Sequence, residues 1–427
     1  MKIAIAGYGI EGEANYNYFS KDASNEITIV DQKEVPDRSL PSGVATILGP
    51  EAFTQLSGFD MVVRTASLPP RDIVTDGKIW SATNEFFAQC PADIIGVTGS
   101  KGKGTTASLI ASILEAAGRK VWLVGNIGQA SLEILDQIQP KDIVVYELSS
   151  FQLWDIEKSP KVAVILHIEP DHLDVHKDMA EYVAAKANIT RFQTPRDVLV
   201  YNAQNNYTSA MAESSDAQKI AYPNEASAHV VNNRFYYGEQ FICSTNVLQL
   251  KGDHNVMNAL AAIDAVWKYT QDTAAIEAGL HNFKGLPHRL AFVRSVDDVD
   301  YYDDSIATTP SSAIAGLRAF TVPKVIILGG SSKGSDFAPL AEEMTKHDVQ
   351  ALLIGDEAPR IAAALKAVGF EHYEIIENAT ATSFTQRAHA IARKGSVVLL
   401  SPSAASFGLF KNYADRGDQF AAAVNQL

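Results

Sequence analysis

Short apolar runs rich in β-branched residues recur along this chain, and each is followed by a stretch of helical character. Ile27-Thr-Ile-Val30, Ile143-Val-Val-Tyr146, Val162-Ala-Val-Ile-Leu166, Lys324-Val-Ile-Ile-Leu328 and Ser396-Val-Val-Leu-Leu400 are such runs. Strands alternating with helices build βαβ units and parallel sheets. The pattern starts three times, which predicts an α/β protein of three domains. The first covers 1–85 and is Rossmann-like. The second covers 86–284, opens with Ile94-Ile-Gly-Val-Thr98 and is of P-loop type. The third covers 285–427, is again Rossmann-like, and begins at Gly285-Leu-Pro287, where Gly frees the backbone and Pro fixes it. A length of 427 residues fits three domains at about 150 residues each. Arg234 to Leu250 alternates as antiparallel strands do and is expected to cover one face of the middle domain.

Composition narrows the function classes. The 36 basic and 50 acidic side chains leave a net charge of −14, which argues against nucleic acid as the main partner. An anionic small molecule remains compatible, because backbone amides and a few local cations hold phosphates inside acidic proteins. Cys90 and Cys243 are the only cysteines, so no disulfide framework and no zinc spacing exists. No window approaches the about 20 apolar residues of a membrane span. These features predict a soluble, cytoplasmic protein working on small molecules, as a monomer.

Two glycine-rich turns carry the chemistry. Gly7-Tyr-Gly9-Ile10-Glu11-Gly12 follows a strand-like Lys2–Ala6, and Asp31 ends the next strand 19 residues after Gly12. That spacing is the dinucleotide fingerprint, in which glycines admit a diphosphate to a helix N-terminus and an acid meets a ribose hydroxyl. NAD or a UDP-linked diphosphate suits it; a tight turn without ligand is the bland alternative. The second turn, Gly96-Val-Thr-Gly99-Ser100-Lys101-Gly102-Lys103, stands between a strand and a helix. Its amides can wrap phosphates and Lys103 can reach the β and γ phosphates. It departs from a strict Walker A motif at Val97 and at Gly104, so Thr105 or Thr106 would offer the hydroxyl for magnesium.

Other polar groups gather at strand ends. Glu147, in Glu147-Leu-Ser149-Ser150-Phe-Gln152-Leu, is placed to bind magnesium or to cap the next helix. Pro170-Asp171-His172-Leu-Asp174 offers a metal-binding or a structural histidine. By composition alone Lys186, in Tyr182-Val-Ala-Ala-Lys-Ala-Asn188, is a solvated helix lysine. Asn255 and Asn258 share one helix face and can read a base or ribose, or cap the helix. His288-Arg289, Tyr302-Asp-Asp304-Ser-Ile-Ala-Thr308, Gly329-Gly-Ser-Ser-Lys333 and Ser401-Pro-Ser-Ala-Ala-Ser406, leading to Tyr413, bring small polar and cationic groups to strand C-termini, where doubly wound sheets bind ligands.

Together these residues resemble the Mur ligases along essentially the whole chain. Glu147-Leu-Ser-Ser-Phe-Gln-Leu153, Gly285-Leu-Pro-His-Arg-Leu290 and Leu400-Ser-Pro-Ser-Ala-Ala-Ser406 with Phe410-Lys-Asn-Tyr413 are the most specific matches. The resemblance implies a UDP-substrate domain, an ATPase domain and an amino-acid domain. It implies an ATP-dependent ligase that adds D-glutamate to UDP-N-acetylmuramoyl-L-alanine through an acyl phosphate. ATP would be held by Gly99, Ser100, Lys101, Gly102, Lys103, Gly104 and Thr105, with Asn255, Asn258, Arg289 and Asp304. Two magnesium ions would be held by Glu147, His172 and Thr105, supported by Lys186 as a carbamate; Lys103, Glu147, His172 and Lys186 would make the catalytic set. The UDP-substrate would meet Gly9, Ile10, Glu11, Asp31, Ser67, Asn126, Ser149 and Gln152. The amino acid would meet His288, Thr308, Lys333, Ser406 and Tyr413.

The chain departs from the family pattern at several points. Gly104 replaces a Ser or Thr, His167-Ile-Glu169 an Asn-x-Thr, Ile306 a lysine, Ser67-Leu-Pro-Pro70 a Ser-Pro-Gly, and Glu11 a small polar residue. For Ile306, Lys333 or Arg289 is the expected substitute cation. Three other readings stand beside this one. They are a Mur-type or folylpolyglutamate-type ligase with another acceptor or amino acid, a nicotinamide oxidoreductase using the first turn, and a non-catalytic nucleotide-binding homologue.

Overall fold

The structure is a computed structural model that describes residues 1–125, 131–250, 252–332, 334–406 and 408–427. The chain forms two compact units, Met1–Lys284 and Gly285–Leu427. Asn126 and Lys333 lie outside the described residues.

The first unit carries an N-terminal parallel sheet in the order Ala45–Leu48, Glu26–Asp31, Lys2–Ala6, Met61–Arg64, Lys78–Ser81. Strand order reverses between Lys2–Ala6 and Met61–Arg64, and such a switch point leaves a crevice at the strand C-termini. Gly7 sits there at φ +90°, and a Cβ on it would stand 2.5 Å from the Thr65 hydroxyl. A side chain at that position would therefore close the crevice.

The same unit holds a six-stranded sheet in the order Gln218–Tyr222, Val198–Asn202, Val162–Ile165, Asp93–Thr98, Ile143–Glu147, Val121–Gly125. All its pairs are parallel. Both faces are covered, which is why these strands read as unbroken apolar runs. Ile95, Val97, Val145 and Val164 face the helices Lys103–Ala116 and Asp253–Val266. Their neighbours Ile94, Val144, Tyr146 and Ile165 face Phe86, Phe87 and Leu153. Three antiparallel strands, Ala228–Val231, Arg234–Tyr237 and Gln240–Ser244, add Phe235, Ile242 and Cys243 to the first of these cores. Asn232 and Asn233 make the first turn at φ 50° and 57°, a left-handed conformation that Asn tolerates. The antiparallel layer thus opens one strand earlier than the alternation from Arg234 suggests.

A buried ion pair fixes the two larger sheets of this unit to each other. Arg64 is fully buried at the end of its strand; its Nε and Nη2 donate to the Asp155 carboxylate at 2.8 and 2.6 Å. Nη2 also donates to the Phe151 carbonyl at 2.9 Å, and Nη1 reaches the carbonyls of Thr65, Ala66 and Leu68. The loop 65–68 and the helix start near Phe151 are held by one guanidinium.

The second unit is a six-stranded sheet in the order Ala291–Val296, Val299–Asp303, Val397–Leu400, Lys324–Gly329, Val349–Ile354, Tyr373–Ile376. The first pair is antiparallel and turns at Asp297-Asp298, and the other pairs are parallel. Among the described residues no helix is long and apolar enough to cross a membrane.

The helix Asp253–Val266 buries a carboxylate. Asp264 accepts the Ala228 N–H at 2.8 Å, and burial pushes its pKa from 3.8 up to about 8. The native state therefore keeps a proton that the unfolded chain releases, so this group lowers stability as pH rises from 3.8 to about 8. Urea unfolding of wild type is expected to show that loss, and Asp264→Asn, which keeps an acceptor for Ala228, is expected to flatten it. Equal pH slopes in the two proteins would refute the assignment.

Candidate active site

The phosphate loop follows the strand Asp93–Thr98 and ends at Gly102, which caps the helix Lys103–Ala116 at φ 84°. Gly102 leaves no room for a side chain: a Cβ there would stand 2.4 Å from Asn258 Oδ1. At Gly99, φ +150°, a Cβ would stand 2.7 Å from Leu166 Cβ. Ser100 fastens the loop to the next strand end: its N–H donates to the His167 carbonyl, and its hydroxyl donates to the Glu169 carbonyl at 2.8 Å. That same hydroxyl accepts the Glu169 N–H at 3.0 Å and lies 2.8 Å from the Tyr182 hydroxyl. His167 and Glu169, departures from the family pattern, thus support the loop mainly through their backbones.

Lys103 folds over the loop, its Nζ donating to the carbonyls of Gly99 at 3.1 Å and Ser100 at 3.2 Å. Lys186 comes to the same carbonyl from the helix Met179–Ala187, at 2.9 Å from Gly99 O and 3.4 Å from Thr98 Oγ1. It is only 1% exposed, not a solvated helix lysine. Burial first, and the Lys103 charge second, drive its ammonium well below the usual lysine range; Asp171 and Glu147 pull the other way. A lysine so placed readily exists as a neutral, nucleophilic amine.

A cavity of about 330 Å³ is lined by Lys103, Lys186, His172, Ser149, Ser150 and Phe151, with Glu11, Ala66 and Ser67 from the N-terminal sheet. Glu147 ends the strand Ile143–Glu147 and is buried. His172 is half exposed at φ 55°, with its ring 5.0 Å from Phe151 and Nε2 3.9 Å from Asp171. Ser149 and Gln152 form a reciprocal capping box on the short helix Ser150–Leu153, so the Gln152 side chain is engaged with Ser149. Ser149, and not Glu147, therefore caps this helix. Sequence reasoning missed His176, fully buried behind this wall with Nε2 2.8 Å from Ser150 Oγ; burial lowers its pKa. Its signal is the second histidine of His172-Leu-Asp-Val-His176.

These residues fit magnesium. Glu147 supplies a carboxylate; Thr105 is buried, and Thr106 Oγ1 is buried with no hydrogen-bond partner among the described residues. Magnesium takes one or two protein oxygens and leaves its other positions to phosphate and water. Among the described residues no group of three His, Cys, Asp or Glu stands together as a metal site. Gly104 is buried one residue into the helix and offers no hydroxyl.

A second cavity, about 550 Å³, adjoins the loop at Lys101 and Gly102 and is lined by Asn258, His254, His167, Gln204 and Tyr222. Asn258 Nδ2 donates to Asn255 Oδ1 at 3.3 Å, so the two amides form one polar face beside the phosphate loop. Gln204 and Tyr222 come from other strand ends and carry no sequence motif.

The N-terminal turn lines a cavity of about 440 Å³ with Gly9, Ile10, Glu11, Asp31, Lys33 and Ser67. Asp31 accepts the N–H groups of Tyr8 at 2.6 Å and Lys33 at 2.9 Å, so it shapes the turn. Glu11 accepts the Ala66 N–H at 2.8 Å, and burial raises its pKa. It borders both this cavity and the one at Lys103.

In the second unit Arg416, fully buried in the helix Tyr413–Val424, ties two loops to that helix. Its Nε donates to Ser305 Oγ at 2.9 Å and Nη2 to Ser305 O at 2.8 Å, while Nη1 reaches the carbonyls of Ala404 and Ala405. Ser305 Oγ in turn donates to the Tyr413 carbonyl at 2.7 Å. Burial lowers the Arg416 pKa to about 10, with Asp303 opposing. His288 Nδ1 lies 2.7 Å from Asp303 Oδ2, and its ring is 6.1 Å from Tyr413. Asp304 accepts from Ser401 Oγ at 2.7 Å and Leu290 N at 3.2 Å; burial raises its pKa to about 6, and exposed Arg289 counters. Thr308 is half-buried, and Ser406 is buried on the loop gripped by Arg416. Ile306 is half-buried and donates its N–H to the His288 carbonyl at 3.0 Å. Ser331 and Ser403 belong to motifs singled out in the sequence but were given no role of their own; their hydroxyls are buried without partners among the described residues.

Comparison with known proteins agrees with this arrangement. Residues 97–266 match the Mur ligase middle domain, and residues 288–404 match the Mur ligase glutamate ligase domain. The chain is similar to a UDP-N-acetylmuramoylalanine--D-glutamate ligase of Clostridium tetani, 35% identical and covering 100% of this chain and 97% of that protein. In fold it is similar to the UDP-N-acetylmuramate-alanine ligase of Thermotoga maritima, TM-score 0.58 at 19% identity, over 100% and 99% of the two chains. It is also similar to a MurF ligase of Thermotoga maritima solved in complex with ADP, TM-score 0.56 at 16% identity, over 99% and 94%.

The contact of Gly102 with Asn258 predicts the effect of one methyl group. Gly102→Ala is expected to displace Asn258 and strain the helix cap, weakening ADP binding by about tenfold or more while the protein stays folded. Equilibrium titration with ADP checks this; unchanged affinity would place the nucleotide elsewhere.

Proposed function

The chain belongs to the Mur ligase family, and within it we propose that it joins D-glutamate to UDP-N-acetylmuramoyl-L-alanine at the expense of ATP, in peptidoglycan precursor synthesis. The observation that carries this reading is the cavity where Lys103 and Lys186 face Glu11, Ser67 and Ser149. It sets the Lys103 ammonium, suited to phosphate, beside groups from the N-terminal glycine turn, as a reaction between ATP and a nucleotide-linked carboxylate requires. The nicotinamide alternative leaves the second glycine loop and its two lysines without a task.

A carboxylate is a poor electrophile at neutral pH. In the proposed reaction its oxygen attacks the γ-phosphorus of ATP, the bond to the β-phosphate oxygen breaks, and ADP leaves. The amino group of glutamate then attacks the acyl carbon, loses a proton, and inorganic phosphate departs. Such phosphoryl transfer rests on positioning and charge neutralisation. The amides from Gly99 to Lys103 and the start of the helix Lys103–Ala116 cradle the phosphates. Lys103 moves from the Gly99 and Ser100 carbonyls to the transferred phosphoryl group. Glu147 with a Thr105 or Thr106 hydroxyl, and His172, would hold magnesium, which would supply further positive charge at the phosphates. Asn255 and Asn258 hold adenosine. Thr308, Ser406, Tyr413 and His288 hold the amino acid. A cytoplasmic location belongs to the same proposal, since ATP and a UDP-linked precursor are its substrates.

Lys186 is proposed to act as a carbamate. Its neutral amine adds to carbon dioxide and loses a proton, which turns a costly buried cation into an anion beside the metal site. The lowered pKa supports this, since only the unprotonated amine has the lone pair to react.

Phosphate release is expected only when ATP, UDP-N-acetylmuramoyl-L-alanine and D-glutamate are all present. Release without an amino acid, or a preference for another acceptor or amino acid, would overturn the reading in favour of an ATPase or a sister ligase. Lys186→Ala should lower the rate by about a hundredfold or more, and acetate should restore part of it. Full activity of that variant without acetate would remove the carbamate from the mechanism.

A further inference from the structure

The cavity of the N-terminal glycine turn and the cavity at Lys103 share two side chains, Glu11 and Ser67. Glu11 stands in the first turn of the helix Ile10–Phe19. An acid there favours the helix by its charge, and Glu13 does so from outside, paired with Arg38. Glu11 turns to the loop instead, where its Oε2 accepts the Ala66 N–H at 2.8 Å. Its Oε1 has no hydrogen-bond partner among the described residues, and it is not among the atoms sealed in the interior. The cations around it are engaged elsewhere: Arg64 donates to Asp155 and to loop carbonyls, and Lys33 pairs with Asp37. Burial outweighs the Ala66 bond and the Arg64 charge, so the ionised carboxyl is short of donors.

What Oε1 can accept is limited by its surroundings. On the ligase reading each cavity receives an anion, the diphosphate at the glycine turn and the reacting carboxylate at Lys103. A carboxylate between them repels both and is a poor ligand for either. The part of the acceptor that spans the junction is its uncharged sugar, whose hydroxyls and acetamido N–H are donors. A half-buried acceptor oxygen rewards such a donor and penalises a substrate that lacks one, since the oxygen then stays unpaired. Repulsion of anions from the junction also keeps the diphosphate and the carboxylate each in its own cavity.

We propose that Glu11 is a specificity-determining residue for the acceptor, its Oε1 accepting a hydrogen bond from a hydroxyl or N–H of the sugar that joins the diphosphate to the reacting carboxylate. The proposal rests on the ligase reading. The family pattern has a small polar residue at this position, so the long acidic side chain marks a difference in how this chain holds its acceptor.

Calorimetric titration of the full-length protein with UDP-N-acetylmuramoyl-L-alanine, and with UDP as the sugar-free control, tests it in wild type and Glu11→Gln. The amide oxygen of the variant keeps the Ala66 bond, so its NH2 group meets the sugar and sets a donor against a donor. Glu11→Gln is expected to bind the full acceptor about tenfold more weakly and UDP at least as tightly as wild type. Unchanged or tighter binding of the full acceptor would overturn the proposal and leave the ligase reading standing. An equal loss for UDP would do the same, by placing the effect in the glycine turn. Failure of wild type to bind the full acceptor would remove the ligase reading and this proposal with it.

Discussion

Everything this molecule is proposed to do depends on a strip of backbone that cannot hold its own shape. The segment Gly99 to Gly102 has two left-handed glycines and no regular hydrogen-bonding pattern, so it is held from outside. Leu166 and Asn258 occupy the space that side chains at Gly99 and Gly102 would need. Ser100 bonds across to His167 and Glu169, and Lys186 bonds to the Gly99 carbonyl. Amides fixed in this way reach a phosphate without further ordering, and that preorganisation is where electrostatic catalysis gains its strength. The same fixtures link the loop to the cavity lined by Asn258 and His254 and to the one lined by Lys103 and Lys186.

Charge placement follows from this. The chain is acidic overall, at −14, yet it gathers Lys103 and Lys186 around one carbonyl oxygen. Two cations so close are mutually unfavourable, and the buried one yields, as its lowered pKa records. Glu11 faces the same cavity from the other side, and burial raises its pKa too. The cavity therefore holds two groups shifted toward neutrality, and in the proposed reaction an anionic substrate would bring the charge that Lys103 meets. In the second unit the order is comparable but rests on one group: Arg416 collects carbonyls from two loops, at Ser305 and at Ala404-Ala405, that no regular element joins.

The sheets were legible because burial on both faces writes unbroken apolar runs, as in Ile143-Val-Val-Tyr146, and because the glycine turns must sit where strands end. Asn232-Asn233 was a readable turn that the alternation from Arg234 alone does not reveal. The site was legible mainly through family resemblance. Composition makes Lys186 a surface lysine, yet it is among the most buried charges in the chain. Arg416 hides in the same way, although its place on the face shared with Phe420 and Val424 was a clue. Burial of a long cation is decided by what packs over it, and that is a tertiary fact. Gln152 illustrates the reverse case: expected at the substrate, its side chain is engaged in capping a single helical turn.

The central claim is that ATP is used to convert a carboxylate into an acyl phosphate before the amide forms. Labelling the carboxylate of UDP-N-acetylmuramoyl-L-alanine with oxygen-18 tests it directly. If the carboxylate oxygen attacks the γ-phosphorus, that oxygen leaves with phosphate, and mass spectrometry of the product will find one labelled oxygen in each inorganic phosphate released during amide formation. Label that stays wholly out of the phosphate, or that appears in AMP, would contradict the account.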